Sequence, residues 1–246
     1  MRPAVKAQRF APLIVGVIAS PADLRAAARL RKPPDLFELR LDCLSRSLEE
    51  LENKLAVLPA PLIVTARHPR EGGANNLSVK QRRELLLRFL PRAHYVDVEL
   101  RSAKALRPLL ARARSESVRR IISFHDFDST PSVRSLRAKA RAAKSFGADI
   151  FKIATRTDSA AQLGRLLDFF ANNDIDVPLC AMGIGKLGAE SRHQLILRGS
   201  ALNYAHLGRA HLAGQLSLSD IRRSKSTGCR VGGPSRTGGL PRRVGR

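Results

Sequence analysis

The feature that most restricts this chain is a rhythm. Eight short runs rich in β-branched and other apolar residues alternate with helix-like stretches along its length. The runs are 13–19, 36–42, 61–67, 95–101, 119–125, 150–155, 177–182 and 201–207. Helical segments lie between them, as at 78–90, where Leu85, Leu86, Phe89 and Leu90 make one apolar face, and at 132–146, opened by Pro131 and Ser132. Strands that follow helices in this way pair in parallel. Eight strand–helix units in about 220 residues are the size of a single (β/α)8 TIM barrel with eight parallel strands, whereas a doubly wound sheet usually needs fewer strands. No GxGxxG follows the first run and no GxxxxGK[ST] occurs, so nucleotide phosphate binding has no support.

The ends of the chain differ from its middle. Arg2, Lys6 and Arg9 ahead of the apolar stretch 13–19 imitate a signal peptide, but that stretch is short and β-branched, and Pro21 with Asp23 opens a helix straight after it, so it reads as a strand. No apolar stretch approaches the ~20 residues that span a membrane. From Ser224 onward the chain is rich in Gly, Arg and Ser and has no acidic residue. The expected division is therefore a barrel over 1–223 and a disordered basic tail over 224–246. Cys43, Cys180 and Cys229 form no CxxC and have no histidine at ligand spacing, so neither a disulfide framework nor a metal site is expected, which suits a reducing cytoplasm.

The formal net charge of +23 points to some anionic partner. The basic residues are spread over the whole chain, and with nine Phe, two Tyr and no Trp they do not form the aromatic-interleaved stripe of a nucleic-acid-binding face.

Parallel strands in a barrel are buried on both faces, yet several of these runs carry charge. Glu38, Arg40 and Asp42 lie on the second, Arg67 ends the third, Asp97, Glu99 and Arg101 lie on the fourth, His125 ends the fifth and Lys152 lies within the sixth. Inward-facing residues near the carboxyl ends of barrel strands converge on one mouth, where barrel active sites sit. Lys152, among apolar neighbours, reads either as an amine freed by burial to act as a nucleophile or as the structural partner of Asp97 or Glu99. His125 reads either as a general base or as a hydrogen-bonded rim histidine. Adjacent strands and a shared mouth favour a nucleophile and base acting together.

Six motifs in order carry a family resemblance. They are Glu38-Leu-Arg40-Leu-Asp42, Thr65-x-Arg67-x-x-x-Glu71-Gly-Gly73, Val96-Asp97-Val-Glu99-Leu100, Ser123-x-His125-Asp126-Phe127, Phe151-Lys152-Ile153-Ala154, and Met182-Gly183 followed by Gly188-x-x-Ser191-Arg192. Gly199-Ser200 and Ala213-Gly214-Gln215 close the series. In these the chain resembles the type I 3-dehydroquinate dehydratases over about residues 13–223.

The resemblance implies a lyase that removes water from 3-dehydroquinate to give 3-dehydroshikimate in the shikimate pathway, with no metal or organic cofactor. Lys152 would form an imine with the C3 ketone, His125 would carry protons and Glu71 would orient His125. Arg192 would take the substrate carboxylate, Glu38, Arg40, Arg67 and Gln215 its hydroxyls, and Met182 and Tyr204 would wall the pocket. The family pattern is broken in two places. The segment between Met182 and Arg192 is longer than usual, and His211 stands where the closing loop commonly has a serine. The resemblance also implies a cytoplasmic homodimer. A class I aldolase-type barrel and an inactive, basic RNA-binding barrel remain as alternatives, separable by a substrate panel and by salt-sensitive RNA binding.

Overall fold

The computed structural model describes residues 11–228. Strands β1 (Leu13–Ile18), β2 (Leu36–Arg40), β3 (Leu62–Thr65), β4 (Tyr95–Glu99), β5 (Arg119–Asp126), β6 (Ile150–Arg156), β7 (Leu179–Ile184) and β8 (Leu202–His206) occupy the eight expected runs. Each neighbouring pair from β1 to β7 runs parallel, as does β8 beside β1. The helices are α1 (Pro21–Ala28), a short α2 (Leu41–Leu44), α3 (Leu48–Leu55), α4 (Val79–Phe89), α5 (Arg107–Ser115), α6 (Val133–Ser145), α7 (Ala160–Ala171) and α8 (Gly188–Leu197). A short β9 (Leu216–Ser217) and α9 (Leu218–Gly228) complete the described chain.

Side-chain alternation along the strands separates two cores. Phe37, Leu39, Val64, Val96, Val98, Ile122, Phe151 and Ile153 face outward and pack with Leu24, Leu51, Leu86, Leu109, Leu136 and Leu166 of the helices. Residues of the opposite parity, among them Val15, Leu36, Ile63, Tyr95, Ile121, Ile150, Cys180 and Leu202, fill the lower barrel interior. Local signals stop and start the helices: Ser20, Ser78, Ser132 and Ser159 each accept a backbone N–H from the first turn, and the last three lead α4, α6 and α7 away from the mouth.

The wall is a curled sheet of order β7-β6-β5-β4-β3-β2-β1-β8-β9. Between β7 and β8 the barrel meets without a ladder. Ala201 N–H donates to Leu179 O at 2.8 Å, and the Cys180 thiol to Leu202 O at 3.1 Å. Higher up, β9 pairs with β8 instead, Leu216 opposite Ala205. Leu216 joins Ile196, Leu218 and Ile221 in a small apolar cluster that plugs the seam from outside.

Among the differences from the expected boundaries, four move a charged residue or the expected tail. The second run leaves the sheet after Arg40 and turns into α2, so Asp42 is a buried loop-helix residue and not a strand residue. The third ends at Thr65, which places Arg67 beyond the strand. Arg101 lies in a 3-10 turn, Leu100–Ser102, and is exposed. In each case the charged residue sits where the chain is already turning over the mouth, and a run of apolar letters does not mark that bend. The fourth is the tail boundary: α9 continues to Gly228, with Ser224 buried against His193 and Lys225 donating to Pro12 O. The rest of the expected tail lies outside the described residues.

Candidate active site

Parity brings the charged residues together. Glu38, Asp97 and Lys152 point inward one step above the apolar layer, with Thr65 and Ser123 at the same parity. Ser123 lies opposite Lys152 in the β5–β6 register, and His125 opposite Ala154. Lys152 Nζ is 2.9 Å from Asp97 Oδ2, 3.4 Å from Glu38 Oε1 and 4.0 Å from the centre of the Tyr204 ring. Lys152 is 4% exposed. This lysine has a strand-four carboxylate partner, and it also stands in the wall of a cavity of about 250 Å³.

Arg67 is the hub of the carboxylates. Its guanidinium grips Asp97 with two bonds, 3.2 and 2.8 Å, and also meets Glu99 at 3.3 Å and the Ser123 hydroxyl at 2.7 Å. Burial pushes Asp97 up, but Arg67 and Lys152 outweigh it and hold the carboxyl far below the usual range. Glu99 is shared with Arg82 of α4, at 2.9 Å. Arg82, buried on the face expected to be apolar, was missed by helix periodicity because its partner is on a strand. Arg67 reaches the cavity wall, yet its donors are largely committed to protein carboxylates, which makes it a brace for Lys152 and Asp97 as much as a substrate contact.

Arg40 also lines the cavity, pairing with Asp42 at 3.0 and 2.8 Å and donating to Gly72 O at 3.0 Å. Asp42 in turn accepts the backbone N–H groups of Arg67 and Ala74. This carboxylate ties the loops after β2 and β3 into one unit, a role that no strand pattern could reveal.

That unit presents Glu71. The residue ends a 3-10 turn, Pro69–Glu71, and the two glycines after it are required by space: Gly72 has φ +80°, and a Cβ on Gly73 would lie 2.1 Å from Arg67 O. Glu71 Oε2 accepts both the backbone N–H of His125 and its Nδ1, each at 3.0 Å, while Oε1 is 3.4 Å from Arg101 Nε. Burial, then the nearby Glu99, pushes the Glu71 carboxyl up to about 7. Burial, then the cations Arg67 and Lys152, holds His125 well below the ordinary histidine range, so its imidazole is neutral near neutral pH. With Nδ1–H donating to an ionised Glu71, the lone pair is on Nε2, and His125 and Lys152 line one cavity.

The opposite wall holds a cation of another kind. Arg192 of α8 donates to Gly183 O at 3.2 Å and Tyr204 O at 3.3 Å, bridging β7 and β8 at the seam. Among the described residues no carboxylate lies within ion-pair distance of it, and burial pushes its guanidinium down to about 10. The Gly-x-x-Ser pattern positions it: the Ser191 hydroxyl accepts Gly183 N–H at 2.9 Å and donates to Gly188 O at 2.7 Å, fastening α8 to β7. The segment before it turns at Gly185, φ +97°. A buried guanidinium without a protein anion, facing a cavity, has the charge and geometry to receive a carboxylate. Met182 and Tyr204 line the same cavity; the buried Tyr204 hydroxyl has no protein partner. Gln215 and His211 enter from the loop after β8.

Residues 16–226 of this chain match one family model, "Type I 3-dehydroquinase". The chain belongs to the type I 3-dehydroquinase family. The 3-dehydroquinate dehydratase of Methanococcoides burtonii is 30% identical over 87% of this chain and 93% of its own length. That of Thermococcus gammatolerans is 32% identical over 85% of this chain and 96% of its own. The crystal structure of 3-dehydroquinate dehydratase from Geobacillus kaustophilus superimposes with a TM-score of 0.81 at 30% identity, covering 90% of this chain and 92% of that one. This type I 3-dehydroquinase is thus a hydro-lyase of the Schiff-base class, and its fold is the parallel α/β barrel. The aldolase and RNA-binding alternatives fall away with that assignment.

Sequence reasoning named the residues of the cavity but missed those that hold them. Asp97 entered only as a possible partner of Lys152, and Ser123, Thr65 and Asp23 not as site residues. The first three were detectable by parity with Glu38 and Lys152; Asp23 looked like an ordinary helix-start acid.

Proposed function

We propose that Lys152 is the imine-forming residue, His125 the proton carrier, Glu71 its orienting partner and Arg192 the carboxylate receptor in the dehydration of 3-dehydroquinate. The observation that carries this reading is the cavity wall shared by Lys152, His125 and Arg192, with no anion among the described residues paired to Arg192. The amine of Lys152, its protons passed to neighbouring carboxylates or water, adds to the C3 carbonyl, and the carbinolamine loses water to leave a protonated imine. The imine draws electrons from the adjacent carbon, so Nε2 of His125 can remove a C2 proton and leave an enamine. The enamine electrons reform the iminium as the C1–OH bond breaks, and the imidazolium of His125 gives its proton to that oxygen, releasing water. A second water hydrolyses the product imine, freeing 3-dehydroshikimate and Lys152. One substrate gives one product and one water.

Arg192 fixes the carboxylate end while Tyr204, 4.0 Å from Nζ, keeps the imine side of the cavity apolar. Glu38, Arg40, Arg67 and Gln215 supply acceptors and donors for hydroxyl groups, and His211 closes one side. Incubation with 3-dehydroquinate and borohydride, followed by peptide mass mapping, tests the assignment: reduced adduct is expected on the Lys152 peptide. An adduct on any other lysine overturns it. From the family resemblance we also take the protein to work as a cytoplasmic homodimer, which sedimentation of the purified chain and fractionation test.

A further inference from the structure

His211 sits where the family resemblance led to a serine, and its side chain turns to a residue that the sequence did not connect with the site. Residues 207–215 cross the mouth between β8 and β9, with His211, Leu212 and Gln215 on the cavity side. The far foot of this loop is fixed to the seam. Gly185 N–H donates to Ala213 O at 3.1 Å, and Gly214, φ +80°, lies so close to α8 that a Cβ there would come within 2.6 Å of Gly188 Cα.

The near side reaches across the mouth to α1. His211 Nε2 is 3.3 Å from Asp23 Oδ2, and His211 N–H donates to Gln215 Oε1 at 2.9 Å. Asp23 is a rigid post: it is 5% exposed, and the same oxygen accepts Ala19 N–H at 3.1 Å and the Ser20 hydroxyl at 2.8 Å. The His211 side chain is 37% exposed, so it is the half of the contact that can leave.

We propose that Asp23 and His211 form a latch that holds the loop over the cavity and, through His211 N–H, fixes the amide oxygen of Gln215 so that its NH2 group is left to meet the substrate. Both are positioning residues. His211 is then a tie to α1 and not a stand-in for a substrate-binding serine. The inference rests on the reading that substrate occupies this cavity, but the state of the loop can be measured without turnover.

The test compares the full chain with His211→Ala, His211→Gln, Asp23→Asn and the double variant His211→Ala/Asp23→Asn. The readouts are KM and kcat for 3-dehydroquinate and, without substrate, the rate of trypsin cleavage after the exposed Arg209 in the loop, mapped by mass. His211→Ala is expected to raise KM roughly fivefold, the worth of a partly exposed polar contact, with kcat within about twofold and with faster cleavage at Arg209. His211→Gln, whose amide can still donate to Asp23, recovers most of both changes. The double variant is no worse in KM than the single ones, because one contact can be lost only once. Wild-type cleavage at Arg209 in His211→Ala, or additive KM effects in the double variant, overturns the latch. Asp23 also caps α1, so if Asp23→Asn does not fold, the pair His211→Ala and His211→Gln decides: equal behaviour of the two overturns the Asp23 contact. If wild type itself does not turn over, the cleavage comparison still judges the latch.

Discussion

The two walls of the barrel mouth are built on opposite principles. From β2 to β6 the strands are joined by continuous ladders, and their inward charges compensate one another: Arg67 and Lys152 face Asp97, Glu38 and Glu99. From β7 to β9 the ladder is interrupted, and a buried cation there, Arg192, spends its donors on two backbone carbonyls. The first wall is compensated within the protein, and in the function proposed above the second is completed by the substrate carboxylate. Chemistry that must hold a lysine, a histidine and a carboxylate in fixed relation belongs on the ladder side. Capture and release belong at the seam, where a short strand and a loop can move without unpairing the barrel.

Breaking the complete wall at its nucleophile gives the largest effect. Lys152→Ala is expected to lower kcat by at least about 10⁴-fold, read from the rise of enone absorbance, and activity within tenfold of wild type would refute the imine assignment. Next in size, Asp97→Ala removes the nearest anion that Arg67 and Lys152 share, and the loss of a buried partner of this kind costs about 3–5 kcal/mol of stability. Urea unfolding measures it, and a loss below about 1 kcal/mol would mean that the wall is not held by this carboxylate.

At the seam the expected effects are on binding. Arg192→Ala removes charge-assisted bonds to a carboxylate and should raise KM on the order of 30-fold while the fold stays intact, since no protein anion is orphaned. If stability fell and KM did not change, Arg192 would be a staple between β7 and β8 only. The smallest effect is a pH effect. Below about 7, Glu71 takes up a proton, donates it to Nδ1 of His125 and forces the imidazole proton onto Nε2, which removes the base. The value of kcat/KM should therefore fall as pH drops through about 7, and Glu71→Gln should be slower and lack that limb. An unchanged limb in Glu71→Gln would move its origin to another group. The same shift has a sign for stability. A carboxyl whose folded pKa is raised favours the fold while protonated, and that contribution is lost as pH rises from the ordinary carboxyl range through about 7. Relative to wild type, Glu71→Gln should gain in Tm between pH 5 and pH 8.

Much of this contrast was legible in the letters of the complete wall and little of it at the seam. Glu38, Arg40, Asp97, Glu99, His125 and Lys152 announce themselves because charge on a doubly buried strand is costly and strand parity says which way it points. Arg67 and Asp42 were found as residues but misplaced as strand residues, because a loop folding back over a barrel mouth continues the apolar pattern for a residue or two. Arg82 was hidden inside an amphipathic helix, its burial offset by Glu99 at the end of β4 and by the Ser102 hydroxyl. Asp23 and His211, nearly the whole chain apart, have no pattern in common at all.

What the sequence determined by itself was the eightfold alternation of strand and helix, hence a barrel, and the order of charged residues along its strands, because periodicity and the cost of burying charge are local properties. What only the tertiary structure decided was where the barrel leaves its ladder incomplete, which charges neutralise one another and which cation is left for a ligand. Those depend on distances across the barrel, between residues that no local pattern connects.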